Sequence, residues 1–179
     1  VRFPGIQWQI NIKNEIYSGK VGYNNLEKKE PILDNTIYRI WSMTKPVVAI
    51  AALQLLEQNK INLDDEITKY LPEFLNLKVL KRNNSPIDDV EDLKIKPTIK
   101  DLFLHTAGFS YNFLDNPIGK KYEDIKLFHS DTTTLEEEIK KLARIPLLYQ
   151  PQQNWVYSVS MDVLGRILEV ILSDSLQNI

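Results

Sequence analysis

Residues 5–12 alternate, with Ile6, Trp8, Ile10 and Ile12 on one side and Gln7, Gln9 and Asn11 on the other. A period of two predicts a half-buried strand. Lys13-Asn14 suits a tight turn, and 15–23 reads as a second strand, so the pair forms a hairpin. Polar residues over 24–35 predict a loop, and 36–40 is a short β-branched and aromatic segment. At Ser42 the pattern changes. Pro46 falls in a first helical turn, where a missing N–H costs little, and 47–56 is almost wholly apolar. That run predicts a helix buried on most faces, closed by Asn59 and Lys60. Residues 63–74 read as a short helix or turn interrupted at Pro72, and the polar stretch 76–97 as a surface insertion. Thr98 can cap a helix over 99–105, with Asp101 completing a capping box and Gly108 fitting the exit. Residues 110–133 carry no period. Thr134 and Glu137 form a second capping box, for a helix ending before Pro146. A loop over 150–157 precedes a last helix at 160–172. Strands followed by several helices predict an α/β (α+β) domain, with sheet strands in 1–41 and a mostly helical subdomain in 42–179.

Composition narrows the function classes. The chain has 179 residues, 43% hydrophobic and 26% charged, with a net charge of −2. Such a balance gives no field that would gather nucleic acid or an acidic membrane. There is no Cys, which excludes thiol nucleophiles, thiolate metal sites and disulfides. No apolar stretch reaches the length of a membrane span. The chain opens at Val1 with no visible signal peptide, which leaves the compartment open. The helical pattern near 172 runs out at Ile179 with little sign of a cap, so the expectation is that further chain belongs to this domain.

Three candidate chemistries follow. Ser42-Met43-Thr44-Lys45 places a serine and a lysine three apart at a helix start, hence on one face. The helix N-terminus favours a developing oxyanion, and burial would push Lys45 toward the neutral amine that accepts the serine proton. With nine Ser and 17 Lys such a pair is expected about once by chance. The competing reading is a plain N-cap at Ser42 and a solvated Lys45. Tyr157, just before the last helix, could act as a proton relay beside a lysine, or could be a corner tyrosine with a satisfied hydroxyl. His105 and His129 have neither a nucleophile elbow nor zinc spacing around them. A structural hydrogen bond is expected for His105 and a surface position for His129. No Gly-rich nucleotide motif is present, and neither a metal nor an organic cofactor is implied.

Set in order, these pieces resemble the serine β-lactamase and penicillin-binding superfamily. The likeness runs through Pro4-Gly5, through Thr36-Ile37-Tyr38-Arg39-Ile40-Trp41-Ser42-Met43-Thr44-Lys45-Pro46, and through Leu53-Gln54-Leu55-Leu56-Glu57. It continues in Leu63-Asp64-Asp65-Glu66-Ile67, in Leu102-Phe103-Leu104-His105-Thr106-Ala107-Gly108-Phe109 and in Trp155-Val156-Tyr157-Ser158-Val159. Each piece is weak, and the ordered set, which covers nearly the whole chain, is specific. Within the superfamily the likeness is to class C β-lactamases and family VIII carboxylesterases. The resemblance implies a β-lactamase/transpeptidase-like fold, an antiparallel sheet flanked by helices plus a helical subdomain. It implies Ser42 as acyl-accepting nucleophile, Lys45 and Tyr157 as the proton-transfer pair, and the Ser42 N–H as one oxyanion donor.

Two departures shape the expected function. Class C enzymes carry an Asn two residues after the motif tyrosine, where this chain has Val159, which cannot hydrogen-bond the lysine or a β-lactam amide. That favours a small carboxylic ester over a β-lactam as substrate. Family members also continue into further strands, one of which supplies the second oxyanion donor. This chain therefore reads as the N-terminal portion of one domain, inactive alone, its remaining strands coming from a C-terminal segment or a second chain. A β-lactamase, a D-Ala-D-Ala carboxypeptidase relative or a non-catalytic binding or sensor module are the alternatives.

Overall fold

The computed structural model describes residues 3–129 and 132–179. The chain forms two compact units, Val1–Trp41 and Ser42–Ile179.

The first unit is a three-stranded antiparallel sheet in the order β1-β2-β3, with β1 at Gly5–Ile12, β2 at Glu15–Asn25 and β3 at Glu30–Pro31. Gly5 pairs with Gly22 and Ile12 with Glu15. Lys13 and Asn14 both take positive φ, 50° and 69°, as a two-residue hairpin turn of matching twist requires. The hairpin is as expected, but its burial is not. Ile6, Trp8, Ile10 and Ile12 are each about half exposed, so the described residues of this unit leave their side of the sheet open. Residues 36–40 form no strand.

The second unit is built on helices. A 3₁₀ turn at Trp41–Met43 leads into α1 (Thr44–Glu57). Asn59 adopts left-handed φ, and the bonds Lys60 N–H to Leu55 O (2.9 Å) and Asn59 N–H to Leu56 O (3.0 Å) close the helix. These are the paired bonds of a Schellman ending. α1 buries Val48, Ala52 and Leu55, whereas Val47, Ile50 and Leu53 remain exposed. The expectation of burial on most faces therefore holds for one face: the apolar run has two sides and this unit packs one of them.

The stretch 76–97 is not a surface insertion. β4 (Lys78–Leu80) and β5 (Val90–Asp92) pair antiparallel within it, and Val79 and Leu80 are core residues. β4 also bonds Leu147 through Leu147 N–H to Lys78 O (2.8 Å) and Leu80 N–H to Leu147 O (3.0 Å). Strands this short carry too few residues for a period to register in sequence.

α2 (Ile99–Leu104) starts in the expected capping box, Thr98 accepting from Asp101 N–H and Asp101 from Thr98 N–H. Its exit is made by His105 in left-handed conformation, not by Gly108. Gly108 has φ +90°, and a Cβ there would lie 2.2 Å from Tyr149 O. Its role is to let the 147–149 segment approach. α3 (Pro117–Asp124) occupies part of the stretch expected to be irregular. Asn116 caps it and Pro117 sits in its first turn, the local signal that polar surroundings obscured. Residues 130 and 131, also within that stretch, lie outside the described residues. α4 (Leu135–Leu142) carries the Thr134–Glu137 box.

α5 (Ser160–Leu172) is the centre of the unit. It buries Met161, Val163, Leu164, Gly165, Ile167 and Leu168 and packs on α1, α2 and α4. Among the described residues no helix is long and apolar enough to cross a membrane.

Residues 1–179 produced by themselves are expected to associate. Val47, Ile50 and Leu53 form an exposed apolar row on α1, and β1 presents an unpaired edge. Light scattering across a concentration series should give masses above the monomer. The pair Val47→Lys and Ile50→Lys, at positions already exposed, should lower them. A monodisperse monomer of the unaltered segment at high concentration would contradict this reading.

Candidate active site

Ser42 lies in the 3₁₀ turn ahead of α1, and the helix N-cap is Met43, with no side-chain capping bond. The serine hydroxyl is therefore not a cap. It accepts from the Tyr157 hydroxyl at 2.7 Å and from Lys45 Nζ at 3.4 Å. Lys45 stands in the first turn of α1, with Nζ 4.9 Å from the centre of the Tyr157 ring. Tyr157 ends the loop before α5. The three residues singled out from the sequence thus meet in one place.

Three further side chains adjoin the cluster. Lys45 Nζ also lies 3.4 Å from the Tyr111 hydroxyl, and the Tyr111 ring stacks on Tyr157 at 5.5 Å with 18° between planes. Phe113 stacks in turn on Tyr111, at 4.8 Å. Asp162, in the first turn of α5, is a largely buried carboxyl whose charge is felt by Tyr111 and Tyr157 and which itself feels the Lys45 charge. Neither Tyr111 nor Asp162 emerged from the sequence. The signals for them are the aromatic alternation Phe109, Tyr111, Phe113 and a carboxylate set between Met161 and Val163 in an apolar helix.

The electrostatics depart from one expectation. Burial works to lower the Lys45 ammonium, but the neighbouring Tyr157 and Tyr111 phenols outweigh it and hold the group above its ordinary value. The neutral amine expected from burial is not what these surroundings favour. For Tyr157 burial works upward, yet the Ser42 hydrogen bond and the Lys45 ammonium prevail and lower the phenol. Tyr111 goes the other way, raised first by burial and then by the Asp162 charge. So Tyr157 is the group prepared to lose a proton and Lys45 the one prepared to stay charged.

His105 lies beside this cluster, its ring 5.1 Å from that of Tyr157. Burial, and then the Lys45 charge, lower its basicity. His129 is exposed and contacts Asn112 Nδ2 at 2.7 Å. Among the described residues no three His, Asp or Glu side chains gather as a metal site would need. A cleft of about 540 Å³ lined by Asn83, Asn116, Lys120, Tyr149 and Val156 contains none of Ser42, Lys45 and Tyr157.

The Beta-lactamase family model matches residues 1–179, and the chain belongs to that family. It is 32% identical to Esterase EstB of Burkholderia gladioli over 159 residues, 86% of this chain and 37% of that protein. It is 32% identical to Lovastatin esterase of Penicillium rubens over 167 residues, 90% of this chain and 40% of that protein. Among solved structures it matches EstCE1, described as a hydrolase with promiscuous acyltransferase activity, at 28% identity and TM-score 0.77, over 99% of this chain and 44% of that one. The chain spans about two fifths of the length of these relatives. The fold is the β-lactamase/transpeptidase-like one.

The burial of Asp162 has a measurable consequence. Burial pushes this carboxyl up to about 6, against an ordinary 3.8. Between those values the unfolded chain gives up the proton and the folded one holds it, so stability is lost as pH rises. Asp162→Asn removes the penalty. Relative to the parent, the variant should gain nothing below about pH 4, gain through pH 4–6, and level off above at no more than about 3 kcal/mol. Urea denaturation at a series of pH values measures this, and a difference independent of pH would refute it.

Proposed function

We propose that the protein is a serine hydrolase that works through an acyl-enzyme on carboxylic esters. The observation that carries the reading is the 2.7 Å approach of the Tyr157 hydroxyl to Ser42 Oγ, with Lys45 Nζ 3.4 Å from the same oxygen. A serine hydroxyl is a weak nucleophile until a neighbour takes its proton. Tyr157 is that neighbour, because the Lys45 ammonium stabilises its phenolate. Once Tyr157 has given its own proton to solvent, transfer of the Ser42 proton to this phenolate lets Ser42 Oγ bond to the ester carbonyl carbon while the carbonyl electron pair moves to oxygen. The Ser42 N–H is one donor to that oxyanion. Collapse expels the alcohol oxygen, which takes the proton now on Tyr157. Water, activated by the same phenolate, then releases the acid. A bound alcohol in place of water would give acyl transfer, the second reaction named for EstCE1.

Substrate class follows from Val159. Its side chain is buried to 1% exposure among apolar residues, while its N–H bonds Ser110 O at 3.2 Å. It offers nothing to the acylamino group of a β-lactam, and an unpaired polar group in a closed site weighs against binding. The esterase names of two relatives agree with an ester substrate.

In the intact protein, Ser42→Ala is expected to lower kcat on a short p-nitrophenyl ester about a thousandfold or more with the fold retained. Near-parental turnover would remove Ser42 as nucleophile. Tyr157→Phe should lower kcat by about 10²–10⁴-fold with little change in KM, since a single oxygen with its proton is lost. A raised KM at unchanged kcat would make Tyr157 a substrate contact instead. The ester should be turned over faster than a chromogenic cephalosporin, and the reverse order would move the assignment to β-lactam hydrolysis.

A further inference from the structure

His105 is tied to the segment bearing Tyr157 at three consecutive points. Its carbonyl accepts from Val156 N–H at 3.0 Å. Its ring lies 5.1 Å from the Tyr157 ring, tilted by 37°. Its Nδ1 accepts from Ser158 N–H at 3.2 Å, with Ser158 Oγ also at 3.2 Å. Trp155 adds an edge contact at 6.2 Å. The histidine can do this because it ends α2 in left-handed conformation, φ 55°, which turns its side chain off the helix.

We infer that His105, as the neutral imidazole with its proton on Nε2, is the positioning residue that holds Tyr157 against Ser42 and Lys45. The inference rests on the reading of those three as the reacting set. A backbone N–H can be accepted only by a ring nitrogen without a proton. A second proton on the ring would turn Nδ1 into a donor facing a donor, and Ser158 N–H would lose its partner while Tyr157, one residue away, lost its anchor. The charges that act on the ring or on the Tyr157 phenol beside it are Lys45 on α1 and, on the phenol, Asp162 on α5. Of these, the Lys45 ammonium opposes the second proton, in the same direction as burial.

Two substitutions, His105→Asn and His105→Leu, separate this role from mere packing. The Oδ1 of an asparagine side chain at this position would fall near the place of Nδ1 and can accept from Ser158 N–H. Asparagine also does not titrate and tolerates left-handed φ. Leucine fills similar space with no acceptor. In the intact protein, with tyrosine labelled at its ζ carbon and the Tyr157 signal identified by Tyr157→Phe, both variants are followed by NMR and by ester turnover. His105→Asn should keep kcat within about threefold and leave the Tyr157 signal as in the parent at neutral pH. His105→Leu should lower kcat about thirtyfold or more at little changed KM, and move the Tyr157 titration up toward that of ordinary tyrosine. On acidification, with Asp162→Asn in both proteins so that this carboxyl does not titrate, the Tyr157 signal should show a transition that adding His105→Asn removes. Leucine without effect on that signal, or asparagine as damaging as leucine, overturns the inference. Should His105→Leu not fold, the asparagine arm decides: an acid transition still present in His105→Asn with Asp162→Asn overturns it. The NMR readout needs no turnover, so it still decides His105 if an active Ser42→Ala has removed the reaction reading.

Discussion

The site depends on a pairing of two irregular segments. Residues 105–110 and 147–159 run side by side, joined by Leu148 N–H to Gly108 O, Gln152 N–H to Thr106 O, Val156 N–H to His105 O and Val159 N–H to Ser110 O, at 2.8–3.2 Å. Buried loops must satisfy their backbone groups somewhere, and here each satisfies the other. Asp101 reinforces the pairing from α2: its carboxylate takes bonds from Thr98, Thr106 and Gln152, so one buried acid joins the helix start, the first segment and the second. Gly108 permits the closeness that this requires. Without the pairing nothing local would fix Tyr157 opposite a serine 115 residues earlier in the chain.

What the pairing assembles is a charged lysine between two phenols rather than a neutral amine. On the proposed reading the distinction bears on how a proton moves: a neutral lysine would itself be the base, whereas an ammonium favours the Tyr157 anion. The opposite directions of Tyr157 and Tyr111, stacked rings 5.5 Å apart, show that proximity to Lys45 does not set acidity alone. Tyr111 is deeper, and the Asp162 charge opposes its ionisation. For Tyr157 the contacts with Ser42 and Lys45 together outweigh burial.

Helices with caps written into the chain were legible: Thr98-Asp101 and Thr134-Glu137 mark α2 and α4, and the period-two run marks the hairpin. Ser42, Lys45 and Tyr157 could be singled out because each stands beside a recognisable element, and the fold brings them together. The failures have a common cause. β4 and β5 are three residues each, and their place depends on Leu147, far along the chain. Tyr111 and Asp162 belong to the site through tertiary contact, with no spacing to announce them. The exposed faces of α1 and β1 show the converse error. An apolar pattern states that a face suits burial, and it leaves open what covers it.

The helix ends carry the same logic further. α2, α3 and α4 each begin with a side-chain cap, from Thr98, Asn116 and Thr134. α1 and α5 begin without one, and these are the two helices whose first turns adjoin Ser42 and Tyr157. A capping oxygen satisfies free N–H groups and so weakens the positive end of the helix for any other anion. Left uncapped, that partial charge favours an anionic oxygen nearby. Asp162 in the first turn of α5 would offset it if ionised, but burial holds its proton to about pH 6, near neutrality. Two absent caps, a buried acid and a left-handed histidine are each unfavourable for folding alone. They coincide around one hydroxyl, which is where a fold would be expected to give up stability for reactivity.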